Sequence, residues 1–250
     1  MTTLAGLLIG LTIGLTGIGG GVLTAPVLLL FLGLPAPLAV GTALVYVAVV
    51  KVFAAPMFIV RKQVDYRILA LLLAGGVPGA LLGSLFLNRL YKGGSEGLLL
   101  LLLGLTIVVS AAATFLRKQN GDVVQHDKSG RLPFFSFGIG MEVGFSSAGA
   151  GALGSLALMH WTTLTGAAIV GTDVLFGLAL SAAAGSIHLS YGGVDTEVLK
   201  QLLMGGIPGA LTGAWLATVF PNKALRKGLA IWLMWLGANL CWRGFGALAR

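Results

Sequence analysis

The chain alternates long apolar stretches with short polar punctuation. Apolar segments occupy residues 3–33, 37–60, 67–88, 96–116, 133–160, 164–190, 197–219 and 228–248. Six have an ordinary length for crossing a hydrocarbon layer of ~30 Å. The first and fifth are longer: one straight rod of ~30 residues at ~1.5 Å each would reach ~45 Å. Both carry glycines at their middle. Each therefore predicts two half-helices joined at a glycine break, which either reach partway in and return or cross with an unwound centre.

Composition narrows the class. Of 250 residues, 57% are hydrophobic, 39 are glycine and 10% are charged. A soluble domain carries roughly 25% charged residues. A water-soluble enzyme, a DNA-binding domain and a disordered protein are all excluded by this balance. The reading is an all-α, polytopic, multi-pass protein of the cell (cytoplasmic) membrane, with the lipid bilayer as its surroundings. The net charge of +8 belongs to short loops that set orientation, so no nucleic acid is implied. Cys241 stands alone and makes no internal disulfide. No Lys or Arg precedes the first apolar run, so the N-terminus lacks the pattern of a signal peptide.

An internal repeat organises the chain. With a shift of 130 positions, residues 14–83 align without gaps on 144–213, and 22 of the 70 pairs are identical. Gly14, Gly19 and Gly21 fall on Gly144, Gly149 and Gly151. Gly41-Thr42 falls on Gly171-Thr172, and Val64-Asp65 on Val194-Asp195. Gly75-Gly76-Val77-Pro78-Gly79-Ala80-Leu81 falls on Gly205-Gly206-Ile207-Pro208-Gly209-Ala210-Leu211. Two four-segment repeats follow: a membrane repeat over 1–117, a cytoplasmic linker over 118–131, and a second repeat over 132–250. Arg61, Lys62 and Arg67 follow the second span, whereas Asp195, Glu197 and Lys200 follow the sixth. That contrast predicts inverted repeats, which need an odd number of crossings each, and re-entrant first and fifth segments provide it. The summed loop charge is the same for inverted and plain eight-span arrangements. The length of the broken segments favours inversion.

Repeats in a membrane protein place a transport path at their interface. Thr16-Gly17-Ile18-Gly19-Gly20-Gly21 and Ser146-Ser147-Ala148-Gly149-Ala150-Gly151 each precede an apolar run. Helices starting there present unpaired N–H groups and a partial positive charge. Two such termini meeting at mid-membrane would hold an anion, with Thr16, Ser146 and Ser147 adding donors. Thr42 and Thr172 are expected to line the site. Lys51 and Asp173 lie inside the second helix of each repeat, where an ionisable group is costly. They can pair with each other. For Lys51 snorkelling and for Asp173 a satisfied hydrogen bond are equal alternatives, and a neutral Asp173 or Glu142 is a candidate carrier of a coupling proton. For Glu142 and His188 a structural role is the expectation. Gly75, Gly79 and Gly83, with Gly205, Gly209 and Gly213, are expected to be packing stripes.

Nothing points to catalysis, a metal or a cofactor. His126, His160 and His188 are scattered, and no phosphate loop is present. Gly149-Ala150-Gly151-Ala152-Leu153-Gly154 has the spacing of a dinucleotide fingerprint, but no strand precedes it.

The run Gly14-Leu15-Thr16-Gly17-Ile18-Gly19-Gly20-Gly21-Val22-Leu23-Thr24-Ala25-Pro26, with Leu34-Pro35, Ala39-Val40-Gly41-Thr42, Val64-Asp65 and Pro78-Gly79-Ala80, resembles the TauE/SafE sulfite exporter family. The resemblance spans nearly the whole chain and is closest in the first half. It implies a bacterial permease of seven or eight spans for sulfite, sulfonates or related sulfur anions. It carries over to Gly19, Gly20, Gly21, Pro26, Gly41 and Thr42, and to their identical repeat partners. Asp173 and Glu142 do not belong to that pattern. The resulting expectation is a secondary transporter, an exporter, of a small-molecule anion. A passive anion channel and a non-transporting membrane protein stand as alternatives, and a homodimer stays open.

Overall fold

The computed structural model describes residues 2–16, 21–94, 96–116, 129–148, 150–216 and 223–248. The described chain is helical, with no strand among the described residues. It comprises α1 (Thr2–Thr16), α2 (Gly21–Phe31), α3 (Ala36–Val60), α4 (Tyr66–Lys92), α5 (Glu96–Leu116), α6 (Leu132–Ser146), α7 (Ala150–Trp161), α8 (Gly166–Ser190), α9 (Thr196–Leu216) and α10 (Lys223–Leu248). Among the described residues, α3, α4 and α8 are long and apolar enough to cross a membrane. Large apolar side chains such as Phe53, Phe86, Leu105, Trp235 and Trp242 point outward, as expected of a surface that meets lipid. Most of the linker expected at 118–131 lies outside the described residues; Ser129–Arg131 forms a short 3-10 turn before α6.

The fifth apolar segment is interrupted at Ser147–Ala148, between α6 and α7; in the first, α1 and α2 flank residues 17–20, which lie outside the described residues. α1 and α2 are 15 and 11 residues long, and α6 and α7 are 15 and 12 residues long, so each reaches only ~16–22 Å. Phe135 near the start of α6 stacks on Trp161 at the end of α7, ring centroids 3.9 Å apart. The two outer ends of that helix pair are therefore neighbours.

The repeated Val-Asp pairs open α4 and α9. The Asp65 carboxylate accepts from the Ile68 N–H at 3.0 Å, and the Asp195 carboxylate accepts from the Val198 N–H at 3.0 Å. These are N-caps, each satisfying an orphan donor of a helix start.

The glycine stripes bring backbones together across the two halves of the chain. Gly75, Gly79 and Gly83 of α4 lie on the carbonyl oxygens of Pro133, Phe137 and Met141 of α6. Gly205, Gly209 and Gly213 of α9 lie on those of Thr3, Leu7 and Leu11 of α1. A Cβ at any of these glycines would run into the oxygen. α1 thus packs on α9 and α6 on α4, each on a helix from the other half of the chain.

Successive contacts give the helix directions. Within the pairs α1/α9 and α4/α6 both residue series ascend together, so each pair is parallel. Along α3 and α8, Gly41 meets His188 while Gly185 meets Val45, so these two are antiparallel. Along α5 and α10, Gly104 meets Gly237 and Cys241 while Gly244 meets Gly97 and Leu101, again antiparallel.

Candidate functional site

The second interruption is well defined. Ser147 follows α6 with a left-handed φ of 61°, and its N–H donates to the Val143 carbonyl at 2.8 Å. The Ser146 hydroxyl donates to the Glu142 carbonyl at 3.0 Å and accepts from the Ala148 N–H at 3.2 Å. Both serines are buried. The sequence pattern assigns the sharp turn to glycine, yet here a serine takes the left-handed conformation, which is costly for a residue with a Cβ. Gly149 lies outside the described residues, and Gly151 sits buried in the first turn of α7. At the first interruption Gly19 and Gly20 lie outside the described residues, as does the side chain of Thr16; Gly21 opens α2. α2 packs against both α3 and α6.

Lys51 on α3 and Asp173 on α8 are buried on helices that pack against each other. Each is only 2% exposed, and the Asp173 carboxylate acts electrostatically on the Lys51 ammonium. Asp173 Oδ2 accepts from the Ser155 hydroxyl of α7 at 2.8 Å. Gly154 makes room for the other carboxylate oxygen, because a Cβ there would strike Asp173 Oδ1. Ser155 lies five residues into α7, ~8 Å along the helix from its start at the second interruption. The Asp173 carboxylate is thus anchored to α7 near its start, and its charge is felt at Lys51 on α3.

Thr42 and Thr172 are buried, and their hydroxyls serve the loops. Thr42 Oγ1 accepts from the Asp195 N–H at 2.9 Å, and Thr172 Oγ1 accepts from the Asp65 N–H at 3.0 Å. The two bonds tie the start of α3 to the α8–α9 turn and the start of α8 to the α3–α4 turn. Replacing either threonine by valine leaves a peptide N–H without its acceptor, at ~1–3 kcal/mol. Lower melting temperatures in detergent are expected for both variants. The effects should be additive in the double variant, because the bonds lie at opposite ends of the α3–α8 pair.

Glu142 and His188 are placed elsewhere. Glu142 Oε1 accepts from the Ser110 hydroxyl of α5 at 2.5 Å, which ties α6 to α5. His188 is fully buried beside Gly41 and Gly193, with the backbone of Gly144 near its ring. It lies 15 residues beyond Asp173 on α8, ~22 Å away along the helix. Among the described residues no group of His, Cys, Asp or Glu could hold a metal ion.

Sequence reasoning misses Ser155 and Gly154. A signal for Ser155 is present. In the repeat register Ser155 stands where the first half has Ala25, Asp173 where it has Ala43, and Lys51 where the second half has Ser181. Positions at which one repeat is polar and the other small mark this cluster.

The family model described as sulfite exporter TauE/SafE matches residues 2–240. The chain is 31% identical over 248 residues to the Bacillus subtilis (strain 168) protein named "Probable membrane transporter protein YjnA", covering 95% of this chain and 97% of that one. It is 25% identical over 263 residues to "Probable membrane transporter protein YunE" of the same organism, covering 96% of each. No solved structure matches.

Proposed function

Because the chain belongs to the sulfite exporter TauE/SafE family of membrane transporters, we propose that it is a secondary transporter that exports a small sulfur-containing anion, such as sulfite or an organosulfonate, across the cytoplasmic membrane. Residues 1–117 and 132–250 act as two inverted repeats. The antiparallel course of α3 against α8 and of α5 against α10 supports this, since each pair joins corresponding elements of the two halves. The α1–α2 and α6–α7 pairs are re-entrant. α1 runs parallel to α9; α9 follows α8 through a short turn; α8 opposes α3. α1 and α3 therefore point the same way, and α2 must bring the chain back between them.

In this reading the end bearing Arg61, Lys62, Arg67 and Arg131 faces the cytoplasm, following the rule for basic loops. The anion lies between the two interruptions. Thr16, Gly19, Gly20 and Gly21 on one side, and Ser146, Ser147, Gly149 and Gly151 on the other, surround it, and the peptide N–H groups at the starts of α2 and α7 serve as its donors. Lys51 supplies the positive charge. Thr42 and Thr172 hold the frame through their loop bonds. The observation that carries the proposal is that two ionisable residues, Lys51 and Asp173, are buried on the corresponding helices α3 and α8.

The test uses the purified full chain. Sulfite, thiosulfate or methanesulfonate is expected to raise the melting temperature in detergent with concentration, as a ligand of the folded state does, and acetate is not. In proteoliposomes the same anion should move with saturation and show counter-flow. Flux without saturation would make the protein a channel, and neither shift nor flux with any sulfur anion would remove the proposal.

A further inference from the structure

Resting on the transport reading above, we infer that His188 of α8 and Asn88 of α4 form a second station for the sulfur anion, built from neutral donors at the outer end of its path and set apart from Lys51. The observation behind it is a shortfall of hydrogen bonds. His188 is fully buried, yet neither ring nitrogen has a hydrogen-bond partner among the described residues. The side-chain NH2 of Asn88 is likewise shielded and without an acceptor among them. An imidazole carries at least one N–H donor and an amide carries two. Buried and unpaired, such groups lower stability, so packing alone does not account for them. The repeat agrees. At the position corresponding to His188 the first half has Phe58, a planar ring without a polar atom.

Helix packing sets both donors at one level. The Asp65 N–H, just before α4, donates to Thr172 near the start of α8, and Gly76 of α4 abuts Phe176 and Leu180 of α8. The two helices therefore ascend together. Asn88 lies twelve residues beyond Gly76, and His188 twelve beyond Phe176, ~18 Å along each helix. Both continue rows of every fourth residue, which share a helix face. The rows are Gly76, Ala80 and Ser84 on α4 and Phe176, Leu180 and Ala184 on α8, all buried. Beyond them the Lys92 ammonium sits over the Tyr191 ring, 5.4 Å from its centroid, so α4 and α8 stay neighbours to that end. α6 brings the second interruption to the same level. The Ser84 hydroxyl donates to the Gly144 carbonyl at 3.2 Å, and α4 and α6 also ascend together. Asn88, one turn on, therefore stands level with Ala148 at the interruption. The backbone of Gly144 lies near the His188 ring as well. The N–H groups at the start of α7, which opens at Ala150, join the two side chains as donors.

The station is distinct from the deeper charge. Gly41 of α3 meets His188, and Lys51 lies ten residues further along α3, ~15 Å away along the helix. Arg89 and Lys92 of α4 are exposed and belong to the rim. Neutral donors hold an oxyanion less tightly than an ammonium does. An anion passed outward from Lys51 is thus held at the station and still free to leave, as movement through successive sites requires. Its oxygens give the imidazole and the amide the acceptors they lack, which offsets on binding the cost of their burial.

The experiment follows the His188 ring of the full-length protein by nitrogen NMR on isotope-labelled histidine. With His126→Gln and His160→Gln in place, His188 is the only histidine of the chain. Methanesulfonate is the first probe and sulfite the second. A ring nitrogen of His188 should shift saturably, at the same half-saturating concentration at which the probe raises the melting temperature. His188→Phe, with the ring that the first half carries, should melt at or above wild type in anion-free buffer, because an unpaired polar group has gone. The same variant should bind methanesulfonate about tenfold or more weakly, and Asn88→Leu about threefold or more weakly. A merely structural histidine would not respond to the probe. His188 signals that stay still while the probe raises the melting temperature therefore overturn the inference, and so does wild-type affinity in His188→Phe. Where phenylalanine disturbs folding, the ring signals decide alone. A wild type whose melting temperature neither probe raises is a different result, which removes the transport reading itself.

Discussion

Alanine in place of Gly79 or Gly209 is expected to deprive the protein of a folded, monodisperse state in mild detergent. The added methyl group meets the backbone oxygen of Phe137 in the first case and of Leu7 in the second. A carbonyl inside a helix cannot swing aside as a side chain would. The helices cannot separate locally either, because the same contact recurs a turn away on each side, at Gly75 and Gly83 and at Gly205 and Gly213. Overpacking of this kind costs ~1–3 kcal/mol in soluble cores where neighbours can adjust, and more where backbone meets backbone. In lipid the loss matters further, since close packing is itself a principal force joining helices. The sign depends on place. Gly138 lies on α6 as well, and a methyl group added there would have nothing within 4 Å. Gly138→Ala should therefore keep or raise the melting temperature, by up to about 1 kcal/mol of helix preference. Melting curves followed by size-exclusion chromatography separate the two outcomes. Gly79→Ala melting like wild type would mean that α4 and α6 are not held by this contact.

Those stripes are legible in the sequence as small residues every fourth position, but their partners are not. A repeat register says which residues correspond, not which residues touch. Nothing in Gly75-Gly76-Val77-Pro78-Gly79 distinguishes a neighbour within its own repeat from one in the other half. The interruption of the fifth segment is legible for a different reason, because a span of excessive length must break somewhere and helix-unfriendly residues cluster at its middle. Even there the chemistry of the turn differs: the left-handed position is Ser147, held by the Val143 carbonyl. As hydroxyls beside glycine in a transport-like helix, Thr42 and Thr172 point by pattern alone to a solute. Gly41 and Gly171 let the turn residues Gly193 and Gln63 approach, and the neighbouring hydroxyls also accept from those turns. The buried pair in the α3–α8 seam is legible as two ionisable groups on corresponding helices. That their two helices pack against each other in an antiparallel course is what loop charges alone leave undecided.

Lys51→Met should abolish uptake of the sulfur anion that wild type carries, and the question is how to tell lost binding from lost fold. Methionine fills much of the same volume, so packing is largely kept. The lost charge is worth about 4 kcal/mol at ~4 Å for an effective dielectric constant of ~20, which corresponds to roughly a thousandfold weaker binding. The same change removes a positive charge that acts on the buried carboxylate of Asp173. Breaking one side of a buried pair costs about 3–5 kcal/mol of stability, whereas removing both sides is often close to neutral. The single variant should therefore melt well below wild type, and the double variant Lys51→Met/Asp173→Asn should recover most of that loss. Recovery of fold without recovery of anion binding assigns the missing activity to the ammonium. Calorimetric titration of the double variant with sulfite or thiosulfate reads this directly. Wild-type affinity in a stable double variant would move the anion site away from the α3–α8 seam. The helix starts at the two interruptions would then have to hold the anion unaided, each contributing only about 0.3–2 kcal/mol.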